Sequence, residues 1–429
     1  MKPLVSRLAI LGLSTLLAAP AFAQKTEIEI WHTLSGPNRA EFESLIDRFN
    51  GSQSKVVVDL THYDDQAELE EDAAEAIAGK RDKPDLVQLR DNRSPEAVAQ
   101  HKDILPLYQL LAKYPVADAS WFLERTTDFV RDSKGRLLAF PYMAEIPVMF
   151  YNVEMYRGAG LDADVPPATW PDLQAHLLKL RNDGGVRCPY ITSDQVKVHI
   201  ENLAPINDEF YLKPDNGLKS TKNLSFNFNT LYMRHLSLMV SWRKTDLLMQ
   251  HSAQGQANEA FTQGRCAVLT ASSAALGEVR ASNVRFGIAP IPYYPQETAK
   301  PGAPFIGGSA LWAVKGHPAA RQKATAELLA YLAKPVVAAE WHQKTGYMPL
   351  TDAAFRAADV SFYNRIPGAR RAIEQMANGD TKKSAGFDVR NYPRILVLLN
   401  KAFDEALSDK MPPMSALMKA NSDSAKLMR

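Results

Sequence analysis

Residues 26–31 alternate polar and apolar side chains (Thr-Glu-Ile-Glu-Ile-Trp), the pattern of a strand with one buried face. Phe42, Leu45, Ile46 and Phe49 then recur at helical spacing within 40–49, and β-branched strand character returns at 55–60. An acidic, alanine-rich helix is predicted at about 66–79, followed by a strand at 84–89. This β-α-β-α-β succession implies a parallel or mixed sheet covered by helices. Asp132-Ser-Lys-Gly135 signals a turn, with strands at 137–140 and 146–151 downstream. Thr169 is placed to cap a helix, with Pro171 in its first turn and Asp172 in the capping-box position. Leu173, Leu177 and Leu180 form its apolar face, and Gly184 stops it. Leu231, His235, Leu238 and Trp242 mark another amphipathic helix; Trp170 and Trp242 lie on helical faces and read as core. Residues 266–270, 284–288 and 310–314 are strand-like, and the chain from Ala319 onward is mainly helical.

The alternation runs on without internal repeat or low-complexity linker. An α/β chain of 429 residues organised in this way predicts two lobes joined by several chain crossings. Pockets in such folds lie where strand ends and helix starts meet.

The first residues modify that picture. Lys2 and Arg7, an apolar run from Leu8 to Ala19, and Ala21-Phe22-Ala23 read as a signal peptide over 1–23 with a small-x-small cleavage site. The run is too short for a membrane anchor. Removing it takes away two cations and lowers the formal charge from +2 to 0, which excludes a protein built to neutralise phosphate backbones. With no cysteine at the cleavage site to carry a lipid, the expected destination is the periplasm, in soluble form. Cys188 and Cys266 are the only cysteines. They either pair, closing a loop of about 80 residues worth on the order of 4 kcal/mol, or stand as two buried thiols.

Enzyme signatures are missing. The nine histidines show no HExxH or other close metal-ligand pair. Gly307-Gly308-Ser309-Ala310-Leu311 resembles a nucleophile elbow but ends in leucine. No phosphate-binding GxxxxGK[ST] or GxGxxG follows a strand. A periplasmic hydrolase is the remote alternative. The reading is a binding protein with no catalytic residues, no metal and no cofactor.

Four stretches carry a resemblance: Ile28-Glu-Ile-Trp-His32, Gly264 to Ser273, Ile306-Gly-Gly-Ser-Ala-Leu-Trp312, and Leu332-Ala-Lys-Pro335 with Ala339 to Leu350, which includes Trp341-His-Gln-Lys-Thr-Gly-Tyr347. Together the chain resembles the periplasmic glycerol-phosphate-binding components of ABC importers, within the wider solute-binding group that includes the maltose-binding proteins. The resemblance implies a two-lobed α/β periplasmic binding protein fold, with mixed sheets flanked by helices, that closes on a small-molecule ligand and docks on an inner-membrane ABC permease. It also implies a monomer. From the family's pattern of crossings, lobe 1 is expected to hold 24–144 and 285–315, and lobe 2 to hold 146–284 and 316–429.

Matched motif by motif, the family's ligand residues fall on Tyr63, Asp91, Glu145, Ser272, Gly308, Tyr347 and Leu396. Ser272 sits where a strand turns into a helix start, where a hydroxyl and backbone amides can hold an anion or a sugar oxygen. Gly308 allows close backbone approach, or marks a strand bulge. Tyr347 follows the helix-stopping Gly346 and can stack on a ligand. Asp91 suits paired hydroxyls. Two positions depart from the pattern: Glu145 replaces a small hydroxyl, and Leu396 replaces an arginine expected to meet the phosphate. These changes shift the pocket two charges toward negative, so an unphosphorylated polyol or sugar rivals glycerol-3-phosphate or a glycerophosphodiester as the ligand. Arg394 is the candidate replacement cation, with Arg390 in the preceding loop as the other option.

Overall fold

The computed structural model describes residues 25–80, 82–116, 121, 129–250, 255–378 and 382–428; the leader expected over 1–23 lies outside them. Two mixed sheets organise the chain. The first contains β1 (Thr26–His32), β2 (Val56–His62), β3 (Leu86–Arg90), β4 (Ile104–Leu105) and β5 (Phe140–Glu145). After Ile146 the chain enters the second sheet as β6 (Pro147–Asn152), followed by β7 (Cys188–Thr192). A small hairpin, β8 (Leu212–Lys213) with β9 (Ser225–Phe226), precedes β10 (Leu248–Met249), β11 (Cys266–Ser272), β12 (Phe286–Pro290) and β13 (Gly307–Val314).

In the first sheet the order is β2-β1-β3-β13-β4, and β5 also pairs with β13. β1, β2 and β3 run parallel, whereas β13 lies antiparallel to β3, β4 and β5. The second sheet runs β10-β7-β11-β6-β12. Its central strands β6, β7 and β11 are buried along their whole length, as strands covered on both faces are. Alternation along β6 divides its side chains between two cores. Val148 and Phe150 join the core of the first sheet, while Met149 and Tyr151 face a second core built on helices Trp170–Asn182, Thr230–Lys244, Tyr392–Leu407 and Pro413–Leu427. Trp170 and Trp242 are buried in that second core. The Thr169 hydroxyl caps the first of these helices by accepting from the Asp172 amide.

Two parts of the expected lobe division are corrected. The strand expected at 284–288 forms as β12, but it pairs with β6 in the second sheet rather than joining the first lobe. Helices Ala319–Leu332 and Pro335–Thr345, expected in lobe 2, contribute Leu328, Leu329, Leu332 and Trp341 to the core of the first sheet. An amphipathic face specifies that it must be covered, not which sheet covers it.

The two cysteines pair. Cys188 and Cys266 stand opposite one another on the parallel neighbours β7 and β11, with Cα atoms 4.6 Å apart and a bonded S–S distance of 2.07 Å. No described helix is long and apolar enough to cross a membrane.

Candidate ligand-binding site

Glu145 is the last residue of β5, immediately before the chain passes into the second sheet at Pro147. It is a point of convergence. The Ser272 hydroxyl, at the end of β11, donates to Glu145 Oε2 at 2.6 Å, and Lys197 Nζ donates to Oε1 at 2.5 Å. Ser272 Oγ also accepts from the Ala274 amide at 3.1 Å, so it caps the short turn at Ser273–Ala275. The anion held at this strand end is therefore the protein's own carboxylate. Burial works against the Glu145 charge, but Lys197 and then Ser272 outweigh it, and its pKa is lowered. For Lys197 the corresponding balance of burial against Glu145, Asp194 and Glu201 leaves its pKa raised. Both partners are thus held in the charged form.

Gly308 explains how β13 comes so close to β5. It pairs with Ala144 at φ +112°, where an added Cβ would lie 2.2 Å from the Met143 carbonyl oxygen and 2.9 Å from Glu145 Cγ. A side chain there would strain the backbone and displace the carboxylate. The pairing shifts register between Ser309 and Leu311, as at a bulge. Gly346 performs a similar service at the C-terminus of helix Pro335–Thr345. Its φ of +83° ends the helix, and its position for a Cβ is 2.0 Å from the Ser273 carbonyl oxygen. The chain beyond it runs along β5, where the Met348 amide donates to the Ala144 carbonyl at 2.7 Å. Tyr347 is thereby buried near Glu145, stacked on Trp341 with ring centroids 5.4 Å apart. Burial, then the Glu145 charge, push its phenol pKa up.

Asp91 lies on the loop after β3 and donates its amide to the Gly308 carbonyl at 2.8 Å. Its carboxylate turns to Arg93, 3.0 Å away, and that guanidinium bonds Glu201 at 2.5 Å and the Ile306 carbonyl at 3.0 Å. Phe387 lies against the guanidinium, 4.4 Å from its ring centroid. Tyr392 donates its hydroxyl to the other oxygen of Glu201 at 2.8 Å. Burial raises the pKa of Asp91 despite Arg93, whereas Asp91 and Glu201 overcome burial to raise that of Arg93. The triad is sealed, with side-chain exposures of 4–5%.

The structure thus brings Asp91, Glu145, Ser272, Gly308 and Tyr347 to one junction between the sheets. The other two expected residues, Tyr63 and Arg394, come from other elements. Tyr63 follows β2, at the far side of β1 from β3; its ring leans on Trp31 and its hydroxyl donates to Asp72 at 3.0 Å. Arg394 comes from a helix of the second core. It is exposed in the first turn of helix Tyr392–Leu407, because Ile395 and Leu399 take the core-facing positions of that turn. Leu396 is half-buried against the second core, and Arg390 is exposed.

Three charged residues that sequence reasoning did not single out complete the junction: Arg93, Lys197 and Glu201. Lys197 and Glu201 come from one π-helical turn, Lys197–Glu201, a rare geometry that recurs at functional sites. His199 anchors that turn in the second core, its ring nitrogens 2.9 Å from His235 Nε2 and from the Tyr190 hydroxyl. Burial lowers the His199 pKa to about 3, so the anchor is neutral. The expected two-charge shift toward negative is offset in part, because Lys197 balances Glu145. Among the described residues, no cluster of three or more His, Cys, Asp and Glu side chains is placed to hold a metal ion.

This architecture is that of a solute-binding protein, and the chain belongs to the bacterial extracellular solute-binding protein family, whose model matches residues 44–367. Members bind solutes rather than transform them. The chain is 33% identical over 400 residues to the sn-glycerol-3-phosphate-binding periplasmic protein UgpB of Yersinia pseudotuberculosis, covering 91% of this chain and 90% of that one. Its fold is similar to that of UgpB from Mycobacterium tuberculosis in complex with glycerophosphocholine, with a TM-score of 0.75, 21% identity, and coverage of 94% and 98% of the two chains. Maltose-bound MalE3 of T. maritima is similar too, at a TM-score of 0.74, 16% identity, and coverage of 94% and 100%.

Proposed function

We propose that this chain is the periplasmic solute-capturing component of an ABC importer, and that its solute is glycerol-3-phosphate or, better, a glycerophosphodiester. The observation that carries the reading is the partly exposed Glu145–Lys197 pair, held by Ser272 where β5 leaves the first sheet. One small site then offers a carboxylate for hydroxyl groups and an ammonium for a phosphate oxygen. The glycerol-phosphate-binding relative named above, similar over nearly its full length, supports the same class.

Charge favours the diester. Asp91, Glu145 and Glu201 oppose Arg93 and Lys197, three carboxylates against two cations. A phosphodiester brings one negative charge to that setting and a monoester brings up to two, each costly in a partly desolvated site. Capture follows if the solute contacts groups from both sheets and so binds the closed arrangement more tightly. The closed form then engages the permease as a monomer.

A neutral polyol or sugar is the second reading, favoured by Leu396 where the family carries an arginine and by the carboxylates at 91 and 145. A thermal-shift panel separates the two: glycerol-3-phosphate, glycerophosphocholine, glycerol, maltose and inorganic phosphate. The phosphate reading expects a rise in melting temperature with glycerol-3-phosphate or glycerophosphocholine. A rise with glycerol or maltose only, abolished in Glu145→Ala, establishes the neutral ligand instead.

A further inference from the structure

Two cations tie the sheets together, and they are in different circumstances. Arg93 donates to Glu201 and the Ile306 carbonyl, pairs with Asp91, and is covered by Phe387. A solute would have to dismantle that arrangement to reach it. The Lys197 ammonium has one hydrogen-bond partner among the described residues, Glu145 Oε1. An ammonium carries three donors. The side chains of Lys197 and Glu145 keep 19% and 16% exposure, against 5% for Arg93.

We infer that Lys197 takes the solute's phosphate, replacing the guanidinium lost at Leu396, and that Glu145 holds the ammonium in place until the solute arrives. This assignment rests on the phosphate-bearing solute proposed above and names the residue that selects it. The geometry supports the role in three ways. The π-helical turn that carries Lys197 is fixed from behind by the His199 contacts to His235 and Tyr190, so the ammonium is presented from a rigid base. Glu145 is itself oriented by Ser272, which leaves Lys197 aimed at the strand junction rather than at bulk water. The Ser272 hydroxyl, held by the Ala274 amide it accepts from, donates to the same carboxylate and becomes a donor for an oxyanion that displaces it.

A phosphate oxygen entering here keeps Lys197 paired and frees the Glu145 carboxylate, which then relies on Ser272 and the solute's hydroxyls for its hydrogen bonds. The device is also selective. A neutral polyol cannot compete with Glu145 for the ammonium, whereas an anion can. The solute's hydroxyls are then left to the displaced carboxylate.

The test is calorimetric titration of the full mature chain with glycerol-3-phosphate and glycerophosphocholine, in low and high salt. Wild type, Lys197→Met, Lys197→Arg and Glu145→Gln are compared. Lys197→Met is expected to weaken both phosphate-bearing solutes at least about tenfold and to flatten the salt dependence, with Lys197→Arg restoring most of each. Glu145→Gln removes the competing carboxylate and should tighten inorganic phosphate; this arm stands even if Lys197→Met does not fold. Lys197→Met binding within twofold of wild type, with unchanged salt dependence, overturns the assignment while leaving the solute reading intact. Glu145→Gln binding inorganic phosphate no better than wild type also overturns it. Wild type binding neither phosphate-bearing solute fells the solute reading, and the assignment with it.

Discussion

The Arg93 triad and the Lys197 pair are built from the same chemistry and do different work. Both join a residue of the first sheet or its loops to the π-helical turn at 197–201. The triad is enclosed by Phe387 and Tyr392, and every member is 4–5% exposed. The Lys197 pair keeps a path to solvent. Sealing makes an ion pair structural, since separating buried charges leaves them uncompensated. Access makes a similar pair exchangeable. The contrast teaches that burial of the partners, more than the identity of the charged groups, decides which pair a solute can use.

The contrast can be broken experimentally, beginning with the largest effect. Arg93→Met removes the only cation bonded to both Asp91 and Glu201 among the described residues, and should cost about 3–5 kcal/mol of stability in urea unfolding. A loss below about 1 kcal/mol would mean that the triad is not the structural lock described. Gly308→Ala comes next. With φ at +112° and the Met143 carbonyl 2.2 Å from the new Cβ, it should cost about 2 kcal/mol and weaken solute binding, because β13 must back away from Glu145. Unchanged melting temperature and affinity would show that β5 and β13 can separate at no cost.

Lys197→Met is expected to cost only about 1–2 kcal/mol of stability, consistent with a partly exposed charge-assisted bond, while its binding defect is the larger signal. A stability loss equal to that of Arg93→Met would erase the distinction.

The smallest effect is in acid. Glu145 has a lowered folded pKa, so its contribution is fully present above its ordinary value and is lost as pH falls through the folded one. Asp91 has a raised folded pKa, so its ionisation opposes folding, and protonating it as pH falls through that value returns stability. Between about pH 3 and 6, Glu145→Gln should therefore flatten the acid decline in urea midpoint, and Asp91→Asn should steepen it. Shifts of the same sign in both variants would contradict the opposed environments.

Much of this arrangement is legible in the sequence where the cause is local. Thr169 and Asp172 announce their helix start because a cap is decided within one turn. Phe42, Leu45, Ile46 and Phe49 announce a buried face by spacing alone, and all four are buried. Glu145, Ser272, Gly308 and Tyr347 converge through strand ends that meet only in three dimensions. What escaped was decided by tertiary partners. Arg93, in Asp91-Asn-Arg-Ser-Pro95, reads as an exposed loop cation until Glu201 and Phe387 enclose it. Lys197-Val-His-Ile-Glu201 alternates charged or polar with apolar residues, a strand-like pattern, yet forms a helical turn between two cores. Tertiary packing overrode the local period. Similarly, 284–288 is strand-like from its own residues, but nothing local tells it to pair with β6. Arg394 is close in sequence to Leu396, but the phase of its helix leaves it exposed.

On the closure proposed above, the passage from β5 through Ile146 to β6 puts Glu145 beside one of the crossings about which the two halves would rotate. Points on an axle travel least. A fluorophore or spin label close to that position would be nearly blind to opening, whereas a pair attached further out along each lever arm would see most of the swing. The same reasoning makes the backbone at Glu145 a fixed datum against which the swing of either body can be measured.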